Sequence, residues 1–319
     1  MMSQRVRSRR FHFNLKSLTP LALVGAILLL YPTPAPAEAP GESAGQFVIG
    51  DRPFAASSSW NTPIAAGASY EPVGWPITAR FGVAWRSFSP AIYTASDSDP
   101  VVSVQYPPGW GRPGGTIDVR MPLDADGAAG TDGELLVIDG DTVHNFWQFK
   151  RLNSTEATSR SYGATNVITG NGWGRKSPFL GAGIVATGSS QLAGMLVQAE
   201  TDRGEITHAL QVSIDMALAK PGHIGQDAIN SDGRNPNGLL QEGQRLAIPP
   251  SVPMPQGLSP LGQKVFRAYQ TYGAFVVDVA GGVTNLRAQA NAYDRAAITA
   301  LRTELPRITR MLERVGYAD

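Results

Sequence analysis

Residues 101–121 read VVSVQYPPGWGRPGGTIDVRM. Two short runs rich in β-branched residues, 101–106 and 115–121, flank an interval of Pro, Gly and Trp. Runs of this length and composition predict strands, and the Pro/Gly interval between them predicts a turn. The same pattern recurs outward in FGVAW (81–85), ELLVID (134–139), HNFWQFK (144–150), AGMLVQAE (193–200), THALQVSID (207–215) and AFVVDV (274–279). Gly, Pro, Asn and Asp separate these runs, and no internal repeat is evident. With 35 Gly, 24 Pro and only 17% charged residues among 319, the chain reads as turn-rich and mainly β. The expected fold is an antiparallel β-sandwich, jelly-roll-like, over 51–282.

Two helices are expected beside it. Ser259 is an N-cap, Pro260 opens the first turn, and LGQKVFRAYQTY runs to Gly273 as a C-terminal stop. Leu261, Val265, Ala268 and Tyr272 make its apolar stripe. A second helix is expected from about 285 to 315, within a C-terminal helical extension over 283–319. Leu286, Tyr293, Ile298, Leu301, Leu305, Ile308, Leu312 and Val315 follow helical spacing, and Pro306 predicts a kink.

The amino terminus reads as an address. Arg5, Arg7, Arg9, Arg10 and Lys16 precede the apolar run LTPLALVGAILLLY (18–31), and Ala35-Pro36-Ala37 supplies a small-residue cleavage site. This is the pattern of a secretory signal peptide over 1–37, followed by a flexible lead-in over 38–50. An uncleaved anchor is the alternative, although the run is shorter than the roughly 20 residues that span a bilayer. Ser8-Arg9-Arg10 is twin-arginine-like, with Phe displaced by one place, so the export route stays open. The segment carries five basic residues and no acid, so its removal turns a net charge of +1 into −4. No basic stripe remains for nucleic acid, and no second long apolar segment for a membrane. The expected protein is an exported monomer in the periplasm or outside the cell, where polysaccharide or oligosaccharide is a natural partner.

Several chemistries are excluded by motif. The chain has no Cys, hence no disulfide, thiolate metal site or cysteine nucleophile. It has no H-E-x-x-H or Walker A sequence. Asn171-Gly172-Trp173-Gly174-Arg175-Lys176-Ser177 has Arg175 where a P-loop needs the glycine before its lysine, and Gly181-Ala182-Gly183 lacks the βαβ setting of a dinucleotide site. No cofactor is expected. Asp124, Asp126, Asp132 and Glu134 crowd acidic oxygens into a short stretch, where a solvated turn is the plain reading and a structural calcium ion the alternative.

The candidate site residues come from scarce or misplaced side chains. Beyond the signal the chain has only His144, His208 and His223. As a strand, HNFWQFK places His144, Phe146, Gln148 and Lys150 on one face, an aromatic-plus-amide surface suited to sugars. His144, Trp147, Gln148, Lys150 and Tyr272 are therefore the expected substrate-binding set. Asp139, Glu200, His208 and Asp232 are the expected catalytic set, because glycoside hydrolysis uses two carboxyl groups across a cleft. Elimination from a uronic acid would draw instead on His144, Gln148, His208, Tyr272 and Arg151. Asp278 interrupts the apolar strand VVDV, so its carboxyl must be paired, hydrogen-bonded or shifted in pKa.

Five stretches also carry a resemblance. They are Trp60-Asn61-Thr62-Pro63-Ile64, Gly130-Thr131-Asp132-Gly133 leading into LLVID and Phe146-Trp147, Glu205-Ile206-Thr207-His208-Ala209-Leu210, Ser231-Asp232-Gly233, and Tyr272-Gly273-Ala274-Phe275-Val276-Val277-Asp278. Together they span about 60 to 278. In them the chain resembles a group of secreted bacterial proteins associated with carbohydrate-active β-sandwich proteins. The resemblance implies a β-sandwich and carbohydrate as ligand, and assigns no role to any residue. The resulting expectation is an exported enzyme that cleaves glycosidic bonds, hydrolase ahead of lyase. A non-catalytic carbohydrate-binding or envelope-associated protein is the rival.

Overall fold

Strand pairing organises the described residues into four sheets of different sizes. The structure, a computed structural model, describes residues 47–174 and 183–316. The expected signal peptide, lead-in residues 38–46 and residues 175–182 lie outside the described residues. In chain order the strands are β1 (Tyr70–Pro72), β2 (Phe81–Ala84), β3 (Ala91–Thr94), β4 (Val101–Tyr106), β5 (Gly115–Arg120), β6 (Leu135–Asp139), β7 (Thr142–Trp147), β8 (Lys150–Arg151), β9 (Glu156–Thr158) and β10 (Ser161–Asn166). Then follow β11 (Leu210–Asp215), β12 (Ala219–His223), β13 (Leu240–Glu242), β14 (Arg245–Ala247), β15 (Ala274–Ala280), β16 (Thr284–Arg287) and β17 (Glu313–Val315). The helices are α1 (Gln198–Arg203), α2 (Pro260–Thr271) and α3 (Arg295–Thr309). The expected strands at 101–106, 115–121, 134–139 and 274–279 are present within a residue or two.

A seven-stranded sheet runs β1-β17-β14-β15-β11-β16-β2. Two four-stranded sheets run β10-β7-β6-β3 and β5-β4-β9-β8, and β12 pairs with β13. The protein is thus mainly β, but its sheets are mixed rather than antiparallel throughout. The β11/β15, β2/β16, β3/β6, β4/β9 and β12/β13 pairs are parallel. Parallel neighbours need long return connections. The chain between β11 and β15 is such a connection, and it contains α2.

Alternation gives the seven-stranded sheet two different faces. Leu210, Val212, Ile214, Val276 and Leu286 turn to one side and bury against Val265, Phe266 and Tyr269 of α2 and Leu301, Leu305 and Ile308 of α3. Phe275 and Val277 turn to the other side. There they share a cluster with Leu136 and Ile138 of β6, Val143 of β7, and Trp60 and Trp173. Leu135, Val137 and Phe146 leave β6 and β7 in the opposite direction, into a third cluster with Val102, Val104 and Val119 of β4 and β5. β6 is therefore covered on both faces, which is why LLVI reads as an unbroken apolar run. The Trp60 ring stacks on Trp173 at 4.9 Å and meets Phe275 edge-on at 4.9 Å. Asn61 donates from Nδ2 to the carbonyls of Pro53, Phe54 and Ala55. This stretch of the resemblance is a folding anchor.

Three expectations are corrected. AGMLVQAE is no strand: Gly194 holds φ +73°, its oxygen accepts from Gln211 N at 2.8 Å, and the chain then enters α1. A Cβ at Gly194 would lie 2.5 Å from that same nitrogen, so the backbone approach demands glycine. HNFWQFK stops being a strand at Trp147, where Gln148 adopts φ +53° and ends the alternation. The C-terminal region is not helical from 285. β16 inserts between β11 and β2, β17 pairs with β1 and β14, and only 295–309 is helix. Leu286, counted in a helical stripe, is a core residue of β16, because a four-residue apolar/polar alternation also satisfies part of a helical period. Pro306 lies inside α3, which runs on to Thr309.

The start of α2 is clipped to α3. Ser259 Oγ accepts from Gly262 N at 3.1 Å, and the Glu304 carboxylate accepts from Ser259 N at 2.6 Å and Ser259 Oγ at 2.9 Å. Leu301 of α3 is fully buried against the sheet. Leu301→Ala is expected to lower stability by about 2–5 kcal/mol, and Ser259→Ala by about 1 kcal/mol. Urea unfolding followed by tryptophan fluorescence measures both.

Candidate active site

The site begins with a bulge in β15. Val212 pairs with Val276, but the next residue, Ser213, pairs with Asp278, so Val277 is the extra residue. Plain alternation after Val276 would send residue 278 back to the helical face. The bulge re-aims it. Val277 stays in the apolar cluster, and Asp278 turns into a pocket at that cluster's edge.

Arg287, at the end of β16, meets Asp278 there. Leu286 faces the helices, so Arg287 faces away from them. Its Nη2 donates to Asp278 Oδ2 at 2.8 Å and its Nη1 to Glu134 Oε1 at 2.7 Å. Glu134 stands two residues before Leu136 and so shares its face of β6. Glu134 Oε1 also accepts from Gln191 Nε2 at 2.5 Å. Gln191 is held in turn: Asn145 Oδ1 of β7 accepts from Gln191 N at 2.8 Å and Ser190 Oγ at 3.0 Å. Asp232 and Glu242 complete the acidic group. Asp232 N donates to Glu242 Oε2 at 2.8 Å. Asp232, Glu242 and Asp278 each place a carboxyl oxygen within 4.8 Å of the others.

Glu134, Gln191, Asp232, Asp278 and Arg287 line a cavity of about 290 Å³, with Glu242 behind Asp232. Trp110 and Trp147 stand at it with Arg112, Asp132, Asn230 and residues 184–186. The two indoles meet edge to face at 5.5 Å. Trp110 is 54% exposed, and the Arg160 guanidinium stacks over it at 4.6 Å. Its φ of +50° is unusual for a bulky residue. It is held by the paired Gly109–Arg112 backbone bonds at 2.9 and 3.1 Å.

Burial and crowding of like charge set the protonation. Burial pushes Asp278 up to about 7; Arg287 opposes this, and Asp232 and Glu134 reinforce it. Burial also pushes Glu242, which has no cationic partner among the described residues, up to about 9, helped by the charges of Asp232 and Asp278. Glu134 is raised by burial against the pull of Arg287. Burial works against the charge on Arg287, and Glu134 and Asp278 outweigh it. The floor therefore combines a carboxyl that exchanges its proton near neutrality with an exposed carboxyl, Asp232, within reach. Three oxygen donors could also hold a hard cation. Arg287, bonded to Asp278, already places positive charge against that position.

Of the expected residues, Asp232 and Trp147 reach this pocket. The others lie elsewhere. Asp139 pairs with Thr142 at the β6–β7 turn. His208 and Glu200 form a buried pair, Nε2 to Oε2 at 3.0 Å, and Thr207 N donates to Glu200 Oε1. The cleft beside them, about 10 Å³, holds barely one water. His144 Nδ1 bonds Tyr162 Oη at 2.9 Å, and burial lowers its pKa to about 4. Gln148 and Lys150 border a separate open depression with Arg151. Tyr272 ends α2, and its carbonyl accepts from Arg245. The set assembled for elimination is thus dispersed. Glu134 turns inward to Arg287 instead of joining Asp124 and Asp126 in an acidic loop. Sequence reasoning missed Trp110, Gln191, Glu242 and Arg287 as site residues; Asp278 carried a signal, as a carboxyl inside an apolar strand. No protein-family model matches the chain, nor does any curated protein or solved structure.

Two outcomes follow for stability. Glu242 binds its proton more tightly folded than unfolded, so its contribution is full below the ordinary carboxylate range and is lost as pH rises toward 9. Glu242→Gln is expected to flatten the decline of urea-unfolding stability between pH 5 and 9. In the other pair, burial raises Glu200 and His208 outweighs it, leaving Glu200 lowered. Glu200→Gln removes the anion beside a buried imidazole and is expected to cost about 3–5 kcal/mol at neutral pH, read by the same unfolding curves.

Proposed function

We propose that the protein is an exported carbohydrate-active enzyme that hydrolyses glycosidic bonds of a polysaccharide in the Trp110/Trp147 pocket. One observation carries this reading: two carboxyl groups, Asp278 and Asp232, face each other within 4.8 Å beneath paired indoles. Aromatic faces stack on the C–H faces of sugar rings, and paired carboxyls of unequal acidity supply acid and nucleophile. The basic-then-apolar amino terminus supports export. The two sheets that share the Trp60 cluster support a sandwich-like architecture.

In this mechanism Asp278 holds its proton near neutral pH and delivers it to the leaving glycosidic oxygen. Asp232 attacks the anomeric carbon, and water then releases the sugar with Asp278 accepting its proton. The short carboxyl separation favours this retaining course, since inverting enzymes keep their carboxyls about 6.5–9.5 Å apart. Glu242, neutral and buried, accepts from the Asp232 amide and fixes that loop.

Asp278→Asn and Asp232→Asn are expected to lower kcat about 100-fold or more while the protein still binds oligosaccharide. Reducing ends and the ultraviolet absorbance of an unsaturated product are followed together across neutral and uronic-acid polysaccharides. Reducing ends without absorbance support hydrolysis; both signals mean elimination; binding without cleavage means a carbohydrate-binding protein. The activity of the wild type is expected to fall as pH rises through about 7, where Asp278 loses its proton.

A further inference from the structure

Two buried side-chain atoms of the pocket lining lack a partner, and both are oxygens. Gln191 is 1% exposed, and its Oε1 has no hydrogen-bond partner. Glu134 is 3% exposed, and its Oε2 is likewise unpartnered. Among the described lining residues these are the only buried side-chain atoms left without a partner, and both need a donor. Buried acceptors left bare carry a desolvation cost that a ligand can relieve.

The charges point the same way. Asp132, Glu134, Asp232 and Asp278 line the cavity, against Arg112 and Arg287. Arg287 is shared by Glu134 and Asp278. Arg112 Nη1 donates to the Tyr162 carbonyl at 3.3 Å. Asp132 and Asp232 form no salt bridge among the described residues, although Asp132 lies near enough to Arg287 to support its charge. A uronic acid would bring its carboxylate against Asp132 and Asp232. A sugar bearing an ammonium would bring three donors and a positive charge to the open acceptors, beside indole faces that also attract cations.

We infer that the pocket takes an amino sugar with a free amine, so that the substrate is a cationic, glucosamine-type polymer. This rests on the glycosidase reading and names its substrate class.

The full chain is tested on four probes: β-1,4-linked glucosamine hexamer, its N-acetylated counterpart, cellohexaose and oligogalacturonate. The expected result is a kcat/KM for the glucosamine hexamer at least about tenfold above each of the others, the size of one hydrogen bond to a charged group. That ratio should shrink as salt is added, and fall several-fold in Asp132→Asn. Equal or faster cleavage of the N-acetylated, neutral or uronic-acid probe overturns the inference and leaves the glycosidase reading standing. If no probe is cleaved, the glycosidase reading fails for them, and tryptophan-fluorescence titration decides the inference. Tighter binding of the glucosamine hexamer supports it; equal binding or none overturns it.

Discussion

Arg287 is the joint on which the site depends. It leaves the seven-stranded sheet at the end of β16 and reaches Glu134, which precedes β6 of a neighbouring sheet, and Asp278, on its own sheet. One buried guanidinium thus ties two sheets and orients the pocket floor. A buried cation is costly unless its hydrogen bonds are met, and here two carboxylates meet them. The same two carboxylates are then held close to each other and to Asp232. That crowding, added to burial, keeps a proton on Asp278 near neutrality. Structural joint and chemical tuning are one arrangement.

Around this joint the packing is apolar and layered. α2 and α3 cover one face of the seven-stranded sheet. The other face meets β6 and β7 through Trp60, Trp173 and Phe275. β6 in turn packs on β4 and β5 through its second face. The pocket opens where the Trp60 cluster gives way to polar side chains at its edge. Hydrophobic burial provides the rigidity, and the irregular features provide the chemistry: the bulge at Val277, the positive φ of Trp110, and the loop 184–191 strapped to Asn145.

Much of the strand content was legible because it is local. VVSVQY, GTIDVRM, ELLVID and AFVVDV carry β-branched residues at strand length between turn residues, and each is a strand. The Ser259-Pro260 start and Gly273 stop of α2 were legible for the same reason. AGMLVQAE failed because its burial, which the composition shows, is achieved by a glycine turn against β11. The 284–287 segment failed because Leu286 serves equally well in a helical or a strand period. Trp147 was legible as an aromatic on a polar strand and Asp232 as a carboxyl near a strand end. His208 and Glu200, conspicuous in sequence, satisfy each other in the core.

The sequence by itself determined the mainly β class, the caps of α2 and the oddity of a carboxyl in VVDV, since propensity, periodicity and desolvation cost act within a few residues. Only the tertiary structure decided which sheets are mixed, that Asp278 faces the pocket instead of the helices, and that its partners are Glu134, Arg287, Asp232 and Glu242. Those partners lie up to 153 residues apart in the chain. Their meeting depends on long-range strand register and on one extra residue in β15, and a one-residue change of register reverses the direction of every side chain beyond it.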